Sequence, residues 1–292
     1  MIEELVNKAL LGSKTLNESL ATYGYDPAIF YERAAHDKDP LWSNVQFPRC
    51  VYTVEWMYDA ERTKSGVVSV DIINLADAGT PIEIADGLVK ELSGMFMTQG
   101  DQTYSIIWSR SDPFETDGEE PKKLGITVFF DIVAYPIQLS TTPDPVLSTM
   151  NWIKEHQPDI KVIGKDVLPE LWFPTDENPA CYVRIGGETS QVRPSYAVTW
   201  LRANMVVHII CPGSKARIAW LKRLADDLAI EEEIITDDGS PMFIKSLSIN
   251  NGSNPISAGQ LMFDGEYGVL RKEPDKVKLM HPHFAQNGGL DE

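Results

Sequence analysis

One succession of elements is written twice in this chain, and that repetition limits the folds open to it more than any other feature. In the first half an amphipathic start (Ile2, Leu5, Val6, Ala9, Leu10) leads to residues 27–32 and then to strand-like runs at 51–58 and 66–73. A helical stretch at 81–92 follows, then strands at 104–108 and 125–135. The second half gives a helix at 145–157, strands at 179–184, 196–203 and 205–211, a helix at 214–229, and strands at 242–249 and 259–268. Pro27 aligns with Pro179, Trp56 with Trp200, Ile84 with Ile218 and Gly125 with Gly259, at a separation that shrinks along the chain as the loops of the second copy shorten. Each copy reads helix–β–β–β–helix–β–β. The expectation is an α+β fold of two similar units, each an antiparallel or mixed sheet with helices on one face. The units span 1–140 and 141–272, with 273–292 as a flexible C-terminal tail. The boundary falls in the turn-rich stretch 140–145, which holds Pro143 and Pro145.

Local patterns support those elements. Val54, Trp56 and Tyr58 alternate with Thr53, Glu55 and Met57, the period of a strand with one buried face. Residues 59–66 between two strands form a polar hairpin loop closed by Gly66. Thr80 is the expected cap of the first unit's second helix, with Pro81 in its first turn and Ile84, Leu88 and Leu92 as its apolar stripe. Ser214 is the expected cap of its counterpart, with Ile218, Leu221, Leu224, Ala225 and Leu228 as the stripe.

Composition narrows the function. Of 292 residues 43% are hydrophobic, enough for packed cores, and no apolar run reaches the roughly 20 residues of a membrane span. The start carries Glu3 and Glu4 where a secretory signal needs cations, so no secretion by that route is expected. Cys50, Cys181 and Cys211 form no CxxC pair, which fits reducing surroundings. A net charge of −17 and a pI near 4.7 argue against tight binding to a phosphate backbone, which needs clustered cations.

Chemistry is sparse. No GxGxxG, P-loop, GxSxG or HExxH motif occurs. His281 and His283 lack a third ligand at fitting spacing, His208 sits mid-strand as a structural histidine does, and His36 lies in an acidic loop. The acidic loops at 115–120 and 236–240 do not have calcium-loop spacing. No enzyme, cofactor or metal site is expected. Trp56 and Trp200 read as core residues. Trp42 and Trp172, in proline-flanked loops, read either as intersubunit anchors or as folded-back loops covering a sheet edge.

The amphipathic start, the 26–32 segment, Phe47-Pro48-Arg49-Cys50-Val51-Tyr52, the strand at 66–73, the helix at 82–92 and the late strand at 125–136 together resemble the phage tail terminator (tail completion) family. The resemblance covers about the first 135 residues, and the second half only by architecture. It implies a structural protein of a phage virion or phage-tail-like contractile particle, assembled in the bacterial cytoplasm. Such a protein forms a ring that caps the tail tube, stops its polymerisation and joins the head, neck or collar. The implied partners are copies of itself, tube and sheath proteins, and neck or connector proteins, with DNA only as passing cargo and no membrane. The ring is expected to hold six chains, or three whose repeats mimic six. Acidic walls would keep a passing duplex from sticking. On this reading the hairpin residues Asp59, Glu61, Arg62 and Lys64, together with Arg49 and Arg110, are candidate subunit or tube contacts, and Trp42 and Trp172 candidate anchors. A collar, tube-initiator or baseplate-hub ring would share these features.

Overall fold

The computed structural model describes residues 2–43, 45–57, 65–116, 121–138, 142–187, 189–194 and 197–270. Its first half runs α1 (Ile2–Leu11), α2 (Lys14–Ser19), β1 (Thr22–Tyr23), β2 (Asp26–Pro27), β3 (Ile29–Tyr31), β4 (Arg49–Trp56), β5 (Gly66–Leu75), α3 (Ile82–Leu92), β6 (Phe96–Gln99), β7 (Gln102–Glu115) and β8 (Lys123–Ala134). The second runs α4 (Pro145–His156), β9 (Lys161–Val162), β10 (Leu171–Trp172), β11 (Ala180–Ile185), β12 (Ser190–Pro194), β13 (Val198–Ile210), α5 (Ser214–Glu231), β14 (Glu233–Ile235), β15 (Pro241–Ile249) and β16 (Leu261–Leu270).

Two large sheets result, in the orders β10-β6-β7-β8-β5-β4-β3 and β14-β15-β16-β13-β11-β9, with β12 also paired to β13. Leaving β10 and β12 aside, the orders coincide when β3 to β8 are matched with β9, β11, β13, β14, β15 and β16. The strand senses coincide too. The pairs β3–β4 and β9–β11 are parallel, and every other pair in the two matched series is antiparallel. A helix precedes each set and another follows its central hairpin. The chain is therefore an α+β fold of two similar units.

The matched strands bring different residues together from those the sequence suggests. Trp56 ends β4, whereas Trp200 lies in β13, the counterpart of β5. Pro27 belongs to the small β1–β2 ribbon. The counterpart of Pro179 is Pro48, because each immediately precedes a strand whose second residue is a fully buried cysteine, Cys50 or Cys181. Alternation tells which residues face inward but not which strand carries them, so aromatics on different strands align out of place.

Other elements differ for local reasons. The two strands expected at 196–203 and 205–211 are the single β13. Ala203, Met205, Val207 and Ile209 keep one unbroken inward face, while Asn204 Nδ2 on the other face donates to Asp264 Oδ1 at 3.1 Å. The short strands β6 and β14 escape sequence reading because three or four residues carry no measurable period. The helices α3 and α5 are capped by Pro81 and Gly213 rather than Thr80 and Ser214, with no side-chain cap at either. Asp176 compensates at α5, accepting the Gly213 N–H at 2.7 Å. At α4, Asp144 caps by accepting from Val146 and Leu147.

Each sheet buries its inner face under its own helices. The first core gathers Leu5, Leu10, Leu16, Leu88, Leu92, Val70, Ile72, Val128 and Phe130, among others. The second gathers Val146, Met150, Ile153, Leu221, Leu224, Leu228, Val207, Ile209 and Phe263. A third cluster of Phe96, Val133, Tyr135, Ile163, Ala180, Tyr182 and Ile210 lies between the units. Among the described residues no helix is long and apolar enough to cross a membrane.

A candidate assembly interface

The third cluster joins unlike surfaces. From the first unit come Phe96 on β6, Ile107 on β7, Val133 on β8, and Tyr135 just beyond. From the second come Ala180 and Tyr182 on β11, Ile210 on β13, and Ile163 after β9. Strands β6 to β8 correspond to β14 to β16, and β11 and β13 correspond to β4 and β5. The contact is thus head-to-tail between two similar bodies. Alternation explains it: Cys181 and Val183 point into the second core, which leaves Ala180 and Tyr182 on the opposite face. Polar ties reinforce the junction, with Tyr182 Oη donating to Pro136 O at 2.7 Å and Ile185 N–H to Gln138 Oε1 at 2.7 Å.

Strand β10 adds a second tie. It leaves the second unit and extends the first sheet, with Leu171 opposite Met97 and Trp172 opposite Phe96. The Thr98 N–H donates to Glu170 O at 2.8 Å, the Glu170 side chain pairs with Lys8 of α1, and Leu171 packs against the first core. The space between α1 and the edge of the first sheet is thereby filled.

The corresponding space in the second unit is open. A cleft of about 540 Å³ lies between α4 and β14, lined by Asn151, Trp152, Glu155 and His156 on one side and Glu233 to Asp237 on the other. Its polar wall is organised by Glu231, whose carboxylate accepts from Trp152 Nε1 at 2.6 Å and from His156 Nε2 at 2.6 Å. His156 Nδ1 donates to Trp152 O at 2.8 Å. Burial pulls His156 down, but the Trp152 carbonyl and the Glu231 carboxylate outweigh it and hold the imidazole above its ordinary value. The Trp152 indole first, and then His156, hold Glu231 below the usual carboxylate range. Asn151 Oδ1 is buried here without a hydrogen-bond partner.

Sequence candidates fall in several places. Trp42 is folded back on its own unit, against Tyr23 at 5.1 Å and Phe30 at 5.6 Å, and its Nε1 donates to His36 O at 3.0 Å. Arg49 is buried, pairs with Asp37 at 2.7 Å and lies over the Phe47 ring, so its guanidinium is engaged inside the chain. That guanidinium holds Asp37 below the usual carboxylate range. Trp172 packs on Phe96 at 4.9 Å and anchors one unit of the chain to the other. Arg110 sits on a bulge of β7, exposed, over the Phe129 ring at 4.1 Å and paired with Asp112 at 2.8 Å. Asp59, Glu61, Arg62 and Lys64 lie outside the described residues, as do His281 and His283.

The remaining reactive groups are packed away. Cys50, Cys181 and Cys211 are buried free thiols. Burial pushes all three up, Cys211 to about 11. His208 is fully buried, bonded to Pro255 O at 2.9 Å and Arg184 Nε at 3.1 Å, a structural histidine as its strand position suggests. Among the described residues no group of three His, Cys, Asp or Glu is placed to hold a metal ion.

The edges β6 and β14 and the residues that meet them are what sequence reading missed. A signal was present: Leu41-Trp42 and Leu171-Trp172 each follow a proline closely and precede a Pro-x-Cys at Pro48 and Pro179. No protein-family model matches the chain, and no curated protein is significantly similar to it.

Proposed function

We propose that this chain is a structural subunit of a phage tail or phage-tail-like contractile particle, forming a ring that caps the tail tube, ends its polymerisation and joins it to the neck or collar. The head-to-tail contact between the two units supports this reading. A heterologous contact leaves one complementary surface unused at each end, and repetition of it closes a ring when the rotation allows. The net charge of −17 suits a ring through which DNA passes without adhering. Because each chain already holds two units in head-to-tail order, three chains offering six units fit this arrangement better than six chains.

Native mass spectrometry and negative-stain images of the purified chain test the proposal, with a closed ring of three chains as the expected result. Particles assembled without the chain should have overlong tubes or lack a neck. Normal tube lengths and intact necks in such particles would overturn the capping role. A labelled chain found at the baseplate would instead assign it to another ring of the same particle.

A further inference from the structure

The loop from β3 to β4 and the loop from β9 to β11 are the same piece of the repeat. One carries Pro40-Leu41-Trp42 ahead of Pro48-Arg49-Cys50, the other Pro169-Glu170-Leu171-Trp172 ahead of Pro179-Ala180-Cys181. Inside the chain the second of these loops supplies β10 to the outer side of β6. Among the described residues the first supplies no strand to β6 or β14; its Trp42 bridges to Tyr23 of β1 instead, and Leu41 is 56% exposed. The counterpart of β6 is β14, which ends the second sheet with no strand on its outer side among the described residues. Ile235 on it is 58% exposed.

Backbone phase agrees on both sides. Ile106 N–H donates to Met95 O and Thr98 N–H donates to Glu170 O, so Met95 and Met97 face β7 while Phe96 and Thr98 face β10. In the second sheet Ile244 N–H donates to Glu232 O and Thr236 N–H to Ser240 O. Glu232, Ile234 and Thr236 therefore face β15, and Glu233 and Ile235 face outward. Ile234 packs into the second core as Met97 of β6 packs into the first, while Phe96 belongs to the cluster between the units. On the loop, Leu41 O accepts from Gly24 N–H and Ser43 N–H donates to Thr22 O, which commits Leu41 and Ser43 to the β1 side. Pro40 and Trp42 face the other way, the orientation of Glu170 and Trp172 toward β6. The Trp42 N–H donates to Asp39 O at 3.3 Å, its partner among the described residues.

We infer that Leu41–Trp42 of one copy adds to the outer edge of β14 in a second copy, with Leu41 opposite Ile234 and Trp42 opposite Glu233. The Leu41 side chain enters the cleft between α4 and β14, the place that Leu171 takes in the first unit. The occupant is a copy of this chain because its own repeat supplies the matching segment in the matching backbone phase. The inference deepens the ring reading by naming its contact, and rests on that reading only for self-association.

Native mass spectrometry of the wild-type chain beside Leu41→Asp, Ile235→Asp and the control Val167→Asp tests it. Leu41 and Ile235 are both more than half exposed, so unchanged melting is expected of their variants. Both should fall to single-chain mass while the control assembles. Equal mixtures of Leu41→Cys and Ile235→Cys chains, treated with a short bismaleimide, should give a covalent dimer that neither variant gives alone. Intact assembly in both Asp variants, with no dimer in the mixture, would overturn this contact and leave the ring. A wild-type chain that stays single at high micromolar concentration would overturn both.

Discussion

Trp172 and Phe96 face each other across the β10–β6 ladder with ring centroids 4.9 Å apart, so an aromatic pair fastens a loop of the second unit onto the sheet of the first. Trp172 is half-buried, and its removal leaves a gap beside the fully buried Phe96. Trp172→Ala should cost about 2–3 kcal/mol, below the loss typical of a fully buried tryptophan. Urea unfolding measures the loss, and limited proteolysis should show faster cutting between α4 and β11.

Glu91 of α3 holds α2 in place, accepting from Ser13 Oγ at 2.5 Å, Thr15 N–H at 3.0 Å and Thr15 Oγ1 at 2.7 Å. Burial raises this carboxyl, but those donors win and keep it below its ordinary value. Glu91→Ala should destabilise the chain by about 1–3 kcal/mol, the range for stranding partly buried donors. Gly87→Ala should also destabilise, although alanine favours helices, since its Cβ would stand 2.6 Å from Thr15 Cγ2. Thermal melts of the two variants check both outcomes.

The His156–Glu231 contact predicts a pH dependence with a definite sign. A raised histidine contributes stability fully below its unfolded value of 6.5, and the contribution is lost as pH rises through the folded value. A lowered glutamate contributes above its unfolded 4.5, and that contribution is lost as pH falls through the folded value. The stability gap between wild type and His156→Gln should be widest between 4.5 and 6.5 and narrow at higher pH. Denaturant titrations of both proteins across pH 4 to 9 read the gap directly.

The thiols should report folding. Cys50 and Cys181 are fully buried and pushed up by burial, so a thiol reagent at pH 8 should label neither before the chain opens. Cys211, less deeply placed and raised to about 11, should react next most slowly, and all three should react at once in denaturant. Prompt labelling of Cys50 in the native chain would contradict the first core as described.

Much of the fold is legible in the residues because burial writes a period into them. The buried stripe Leu221, Leu224, Ala225 and Leu228 of α5 follows from spacing alone, although Ile218 at its start is exposed, and so does the duplicated order of helices and long strands. The candidate interface is far less legible. Arg49 reads as a candidate subunit contact and is buried against Asp37, while Trp172 reads either as an intersubunit anchor or as a loop covering a sheet edge, and it covers the edge strand β6 of its own chain. Side-chain type does not say whether the partner of a cation or an aromatic lies in the same chain.

What the chain's order of residues settled by itself is the pattern of facing, since hydrophobic periodicity needs only neighbours within one element. Which strand pairs with which, that Cys50 rather than Trp56 marks the repeat, and that one Leu-Trp loop finds an edge while its twin does not, were decided by tertiary structure. Those relations depend on hydrogen-bond phase and open edges between segments far apart in the chain, and neither is encoded in local spacing.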